Sequence, residues 1–179
     1  MLRYFFSALI AAFILIPGTA MGSEYDHELK ADDMTVFWRI DQDRIHVKLS
    51  AKTQGWVAIG FDPEKAMQGA NIIIGAVKKG KVRIEDHYGD RKRGHSSDEK
   101  LGGENHVLNP EGQEEDGVTT ISFSLLLEAQ DKWDKSIDPD KVSRIMIAYG
   151  FGRDSFRAGH AWREVYEVNY NTGETQKIK

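Results

Sequence analysis

The sequence predicts an all-β protein, a single antiparallel β-sandwich. Three observations carry this. Alternating apolar and polar runs recur about nine times, at spacings of roughly 8–12 residues. Beyond the N-terminal apolar run, no long segment keeps the 3.6-residue period of an amphipathic helix. The 179 residues are 40% hydrophobic and 29% charged, which suits one folded domain with its own core rather than a disordered chain.

Residues 1–22 read as an export signal. Arg3 supplies the positive end, Tyr4–Ile16 the apolar run, and Ala20 and Gly22 the small residues before a cleavage point at Ser23. The run falls short of the about 20 residues a bilayer span needs. An uncleaved anchor is the competing reading. The expectation is a mature chain of residues 23–179, a single domain with no membrane span, exported to a periplasm or out of the cell.

Residues 23–33 are a polar lead-in. Met34–Ile40 is rich in β-formers, and Asp41-Gln42-Asp43 is a turn signal. In Arg44–Ser50, Ile45, Val47 and Leu49 share one face while His46, Lys48 and Ser50 share the other, so these two strands form a hairpin. Trp56–Phe61 and Ala70–Val77 follow, separated by a polar loop, Asp62–Gly69. Lys79-Gly80 is a tight turn into Lys81–Tyr88. Residues 89–105 read as a long exposed loop, His106–Leu108 as a short strand, and Asn109–Gly117 as an acidic turn. Val118–Leu126 alternates as a strand, with a weak helical signal over Leu125–Gln130. A polar stretch, Glu128–Lys141, precedes a buried strand, Val142–Phe151. Gly152–Gly159 is a loop, His160–Tyr170 the last strand, and Asn171–Lys179 a tail.

Composition removes several function classes. The formal net charge of −4 offers no basic excess for a nucleic-acid backbone. With no cysteine, disulfides, thiolate-held iron–sulfur clusters, cysteine-based zinc sites and covalently attached haem all drop out. No Ser–His–Asp or similar nucleophile–base pair stands out.

Several residues carry potential chemistry, each with a plainer alternative. Met67 is a lone thioether in a polar loop: a soft metal ligand, or an adaptable packing residue. His160 follows Gly159 and opens a strand, which suits a fixed ligand as well as an edge histidine. Arg153 and Arg157 precede it and suit carboxylates, or solvent. Phe61, Ile73, Tyr149 and Phe151 can wall a pocket or belong to the core. His87, His95 and His106, with Asp86, Asp98 and Glu99, form a loose set without diagnostic metal spacing. Glu114-Glu115-Asp116-Gly117 reads as a solvated turn, with too few oxygen ligands for calcium.

Four stretches together resemble the DOMON domain. They are GWVAIGF over residues 55–61, Met67-Gln68-Gly69-Ala70-Asn71 leading into Ile72-Ile73-Ile74-Gly75, Val82–Gly89, and Asp116–Phe123. His160 in the final strand region fits the same pattern, and the likeness spans residues 30–170. The resemblance implies a β-sandwich of extracytoplasmic proteins. The family has haem b-binding members, similar to the cytochrome domain of cellobiose dehydrogenase, and others that bind sugars or serve interactions. In the haem b members a Met in the loop after the first motif and a His near the end hold the iron. Met67 and His160 stand at those positions, with His87 the strongest substitute for the second.

Two filled axial positions leave no open site for oxygen, and a Met ligand raises the potential. The resemblance therefore implies an exported b-type cytochrome with one non-covalent haem b. It would pass single electrons to or from a redox partner protein, soluble or membrane-bound, as a carrier rather than an enzyme. The alternatives are a haem-free module for a sugar or other small ligand, with Trp133 or Trp162 stacking on it, and a structural interaction domain.

Overall fold

The computed structural model of the chain describes residues 24–178. The expected export signal over residues 1–22 lies outside them. The strands are β1 (His27–Ala31), β2 (Met34–Asp41), β3 (Arg44–Ala51), β4 (Val57–Phe61), β5 (Asn71–Lys78), β6 (Lys81–Arg91) and β7 (Gly94–Ser97). After one helical turn, α1 (Asp98–Leu101), come β8 (Leu108–Glu115), β9 (Val118–Leu126), β10 (Val142–Gly150), β11 (His160–Asn169) and β12 (Thr175–Lys177).

They form two antiparallel sheets, ordered β1-β2-β3-β9-β8 and β12-β11-β10-β4-β5-β6-β7. The all-β sandwich is thus as the alternation predicts. The hairpin turns are chemically explicit. Lys79-Gly80 (φ 51° and 73°) and Asp116-Gly117 (φ 52° and 77°) take the two consecutive positive φ values that match strand twist in a two-residue turn.

Between the sheets lies one continuous core. Trp38, Ile45, Leu49 and Ile121 from one sheet meet Ile59, Phe61, Ile73, Ile145 and Ile147 from the other, all at most 2% exposed. The Trp38 indole N–H donates to the Tyr170 carbonyl at 3.0 Å, so its one polar atom is satisfied. Strands β4 and β5 are buried on both faces. Their second face carries a separate apolar cluster of Trp56, Ala58, Ile74, Ala76 and Phe156.

The structure departs from the sequence reading mainly at the sheet edges. β1 lies in the expected lead-in, β7 in the expected exposed loop, β8 in the expected acidic turn and β12 in the tail. These four are the outermost strands of the two sheets. An edge strand has one neighbour, so the backbone ladder can set it without a strong apolar alternation. Pro110 sits in β8 where the register to β9 shifts between Leu108 and Glu111, the edge position that tolerates a missing N–H. Leu125–Gln130 forms no helix, because β9 runs on to Leu126.

Candidate functional site: a basic-rimmed groove on the outer sheet face

A groove of about 2230 Å³ lies along the face of the seven-stranded sheet that points away from the core. Its floor is Ala58 and Gly60 of β4, Ile72, Ile74 and Ala76 of β5, and Met146 and Ala148 of β10. The alternation of strand side chains puts these opposite Ile59, Ile73 and Ile147 of the core. Small residues on several adjacent strands make the floor low and flat. A Cβ on Gly60 would lie 2.8 Å from Met146 Cε and 3.3 Å from Ile72 Cγ1. Trp56 and Phe156 are further apolar lining residues.

Both candidate ligands line this groove. Met67 sits in the β4–β5 loop, half-buried. That loop is fastened to β6 and the turn that follows it through backbone hydrogen bonds. Met67 N–H donates to the Lys92 carbonyl at 3.3 Å, Gly69 N–H to the Gly89 carbonyl at 2.9 Å, and Gly89 N–H to the Ala70 carbonyl at 2.9 Å. A Cβ at position 89 would stand 1.7 Å from the Met67 carbonyl oxygen, so only glycine permits this approach.

His160 opens β11 after the Gly152–Gly159 loop and is exposed. Its Nε2 accepts a hydrogen bond from the Arg163 guanidinium at 2.9 Å. Partial burial, and then the Arg163 charge, lower its pKa. The ring is therefore held towards the neutral form, the form in which imidazole ligates a metal.

Two more histidines reach the groove. His87 on β6 is 4% exposed, with Nδ1 2.8 Å from His95 Nδ1 and Nε2 3.0 Å from Glu85 Oε2. Both of its ring nitrogens are thus engaged. Burial lowers its pKa against the opposing pull of Glu85. His95 is pushed down to about 4, by burial and then by His87. His106 belongs elsewhere, beside Asp134. The loose histidine–carboxylate set of the sequence therefore divides into two places.

Four wall candidates do not face the groove. Phe61 and Ile73 belong to the core, and Tyr149 packs against its edge. Phe151 is 66% exposed and outside the lining. Trp56, on the same apolar run as Phe61, takes the role instead. Where a strand is buried on both faces, its composition does not say which face holds the core, so this choice had no signal in the sequence. The two candidate stacking tryptophans are half-buried against neighbours: Trp162 stacks on Tyr149 with centroids 5.4 Å apart, and Trp133 packs on Tyr88 at 5.2 Å.

The groove is basic although the chain is acidic. Thirteen lining residues are Lys or Arg and four are Asp or Glu, and Arg153 and Arg157 are among the former. The Arg83 guanidinium lies 3.8 Å above the Phe156 ring, a cation–π contact that steadies the wall. Such a rim attracts an anionic partner.

Comparison with known proteins agrees with this architecture. The DOMON domain family model matches residues 30–150. The chain is 31% identical over 147 residues to DBH-like monooxygenase protein 1 of Homo sapiens, and 29% identical over 147 residues to that of Mus musculus. In each case 79% of this chain is matched, but it spans only 23% of the relative. In structure it is similar to the cytochrome b domain of pyranose dehydrogenase from Coprinopsis cinerea, with a TM-score of 0.61 at 10% identity, covering 82% of this chain and 83% of that one. It is likewise similar to the cytochrome domain of Myriococcum thermophilum cellobiose dehydrogenase, with a TM-score of 0.60 at 10% identity and 82% coverage of both. At that identity the likeness concerns the fold. The family match covers most of the domain, including the strands that floor the groove and the loop that carries Met67: the chain is a member of the DOMON domain family.

Proposed function

We propose that this protein is an exported b-type cytochrome module that holds one non-covalent haem b in the outer-face groove, between Met67 and His160. The observation that supports the reading is that these two residues, far apart in sequence, both line one groove with an apolar floor and a basic rim. The chain's own residues suit such a group. The glycine and alanine floor leaves room for a planar macrocycle. The Met67 thioether and the neutral His160 imidazole are the residues that would hold the iron. Arg153 and Arg157, which line the same groove, would pair with the haem's carboxylate side arms.

When bound, the haem would supply one-electron redox chemistry with little rearrangement. The protein's part is to fix both ligands, exclude water with Trp56, Phe156 and the isoleucine floor, and present a charged rim to a redox partner. The partner is a protein, soluble or membrane-bound, and the module is a carrier rather than a catalyst. Export to a periplasm or beyond the cell belongs to the same reading, through residues 1–22. Among the described residues no helix is long and apolar enough to cross a membrane.

His160 is favoured over His87 because it is exposed at the groove and held by the Arg163 side chain and its own backbone, whereas His87 is 4% exposed and wedged between His95 and Glu85. The visible spectrum tests the reading. Purified protein given hemin should show a sharp Soret band and, with dithionite, a distinct α band. Met67→Ala and His160→Ala should each turn the spectrum high-spin, while His87→Ala should leave it low-spin. Protein that takes up no hemin, or spectra indifferent to both ligand substitutions, would overturn the proposal.

A further inference from the structure

Away from the groove, a second cluster of polar side chains, two of them buried and three half-buried, lies where β6, α1, the segment leading to β8 and the β9–β10 connection converge. Ligand atoms of Asp86, His106 and Asp134 lie within 4.8 Å of one another, and so do those of Asp98, Asp131 and Asp134. Asp134 belongs to both sets. Oxygen ligands around a calcium-sized cation stand about 2.3–2.6 Å from it, so their mutual spacings run to about 5 Å.

The cluster is poorly satisfied by the protein alone. Asp98 is 0% exposed and neither carboxylate oxygen has a partner. Asp86 is 1% exposed with Oδ1 unpartnered. The amide of Asn71, 4% exposed, contacts Asp134 through Nδ2 at 3.4 Å, while its carbonyl oxygen has no partner. His106 Nδ1 is 3.0 Å from Asp134 Oδ2, yet out of line for a hydrogen bond. Among the described residues, no Lys or Arg pairs with any of the four aspartates. Burial first, and then the neighbouring aspartates, push Asp86 up to about 8 and Asp98 up to about 7. A cavity of about 10 Å³ adjoins Asn71, His106 and Asp134.

Other groups on the same side chains are already anchored. Asp134 Oδ2 accepts from the Gln130 and Asp131 N–H groups at 2.8 and 3.1 Å. Asp131 Oδ1 accepts from Trp133 N–H at 2.7 Å. Asp86 Oδ2 accepts from His106 N–H at 3.4 Å. Asp131 Oδ2 also accepts from Glu104 N–H at 3.3 Å. These bonds orient the carboxylates of two triads that share Asp134, as outer-shell partners do in metal sites.

We propose that Asp86, Asp98, His106, Asp131 and Asp134 form a binding site for an oxygen-preferring divalent cation. Four carboxylates and one imidazole favour Ca²⁺ or Mn²⁺ over thiophilic metals. The cation would clamp β6, α1 and the β9–β10 connection together, so its role is to brace this end of the sandwich. The site is independent of the groove chemistry.

The test uses the full mature chain stripped with EDTA. It is dialysed separately against CaCl2, MnCl2, MgCl2 and ZnCl2, with bound metal counted by mass spectrometry and thermal midpoints recorded. The expected result is about one equivalent of Ca²⁺ or Mn²⁺ retained, with the midpoint raised by roughly 5 °C. Asp98→Asn should weaken retention by about tenfold or more and abolish the increment. Its metal-free midpoint should not fall, because a buried charge has been removed. A purely structural Asp98 would lower the midpoint with and without metal alike. Hemin spectra of Asp98→Asn should match the parent, which separates this outcome from that of the cytochrome reading. Wild-type protein that retains no Ca²⁺ or Mn²⁺, with a midpoint indifferent to both, would overturn the proposal whether or not the variant folds.

Discussion

His95 shows how a single side chain ties stability to acidity. In the folded protein burial holds its pKa at about 4, and His87 beside it is lowered by the same cause. In the unfolded chain both would titrate near their ordinary value, about 6.5. As pH falls below 6.5 the unfolded form takes up protons first, and stability is lost progressively towards pH 4. Asp86 and Asp98 act with the opposite sign. Their raised values favour the folded form at low pH and lose that contribution as pH rises towards 7–8. Comparing thermal midpoints of wild type and His95→Gln isolates the histidine. In the ligand-free proteins the variant should gain on wild type as pH drops from 7 to 5, and parallel curves would rule the histidine effect out.

Gly89 is the residue on which the geometry of a whole loop depends, because the backbone of β6 touches the Met67 carbonyl there. Gly89→Ala should destabilise the fold by about 1–3 kcal/mol, the usual cost of forcing extra bulk into a close contact. Denaturant melts measure this, and hemin uptake should fall with it, since the loop must move away from β6. Interior strands announced themselves in the sequence: β3, β5, β9 and β10 carry alternating or continuous apolar runs. The missed strands β1, β7, β8 and β12 are edges, set by a ladder that composition reflects only weakly. The expectation that Met67 and His160 share a site came from the family likeness, and both line the groove, whereas the groove walls were not legible. GWVAIGF is apolar on both faces, so nothing in its residues distinguishes Trp56 as a groove residue from Phe61 as a core residue.

For the molecule as a whole, the decisive asymmetry is that an acidic chain lines one opening with 13 of its 24 Lys and Arg residues and only four carboxylates. Association with an anionic partner at that opening should be fast at low salt and slow markedly as ionic strength rises past about 0.1 M, where the Debye length shrinks to about 10 Å. Stopped-flow electron exchange with an acidic redox protein reads this directly. Arg153→Glu with Arg157→Glu should flatten the salt dependence, and an unchanged slope would place the encounter elsewhere. The core answers to different rules. Ile147→Ala should cost about 2–5 kcal/mol in chemical denaturation, with the charge-steered rate unaltered wherever the protein stays folded.

The groove and the core occupy opposite sides of the same strands. The strands that floor the one also roof the other, so the receptacle takes its shape from packing that needs no guest. If the proposed haem binds there, loading would be a late event: the chain could finish folding first and receive the group afterwards, at a seat already built.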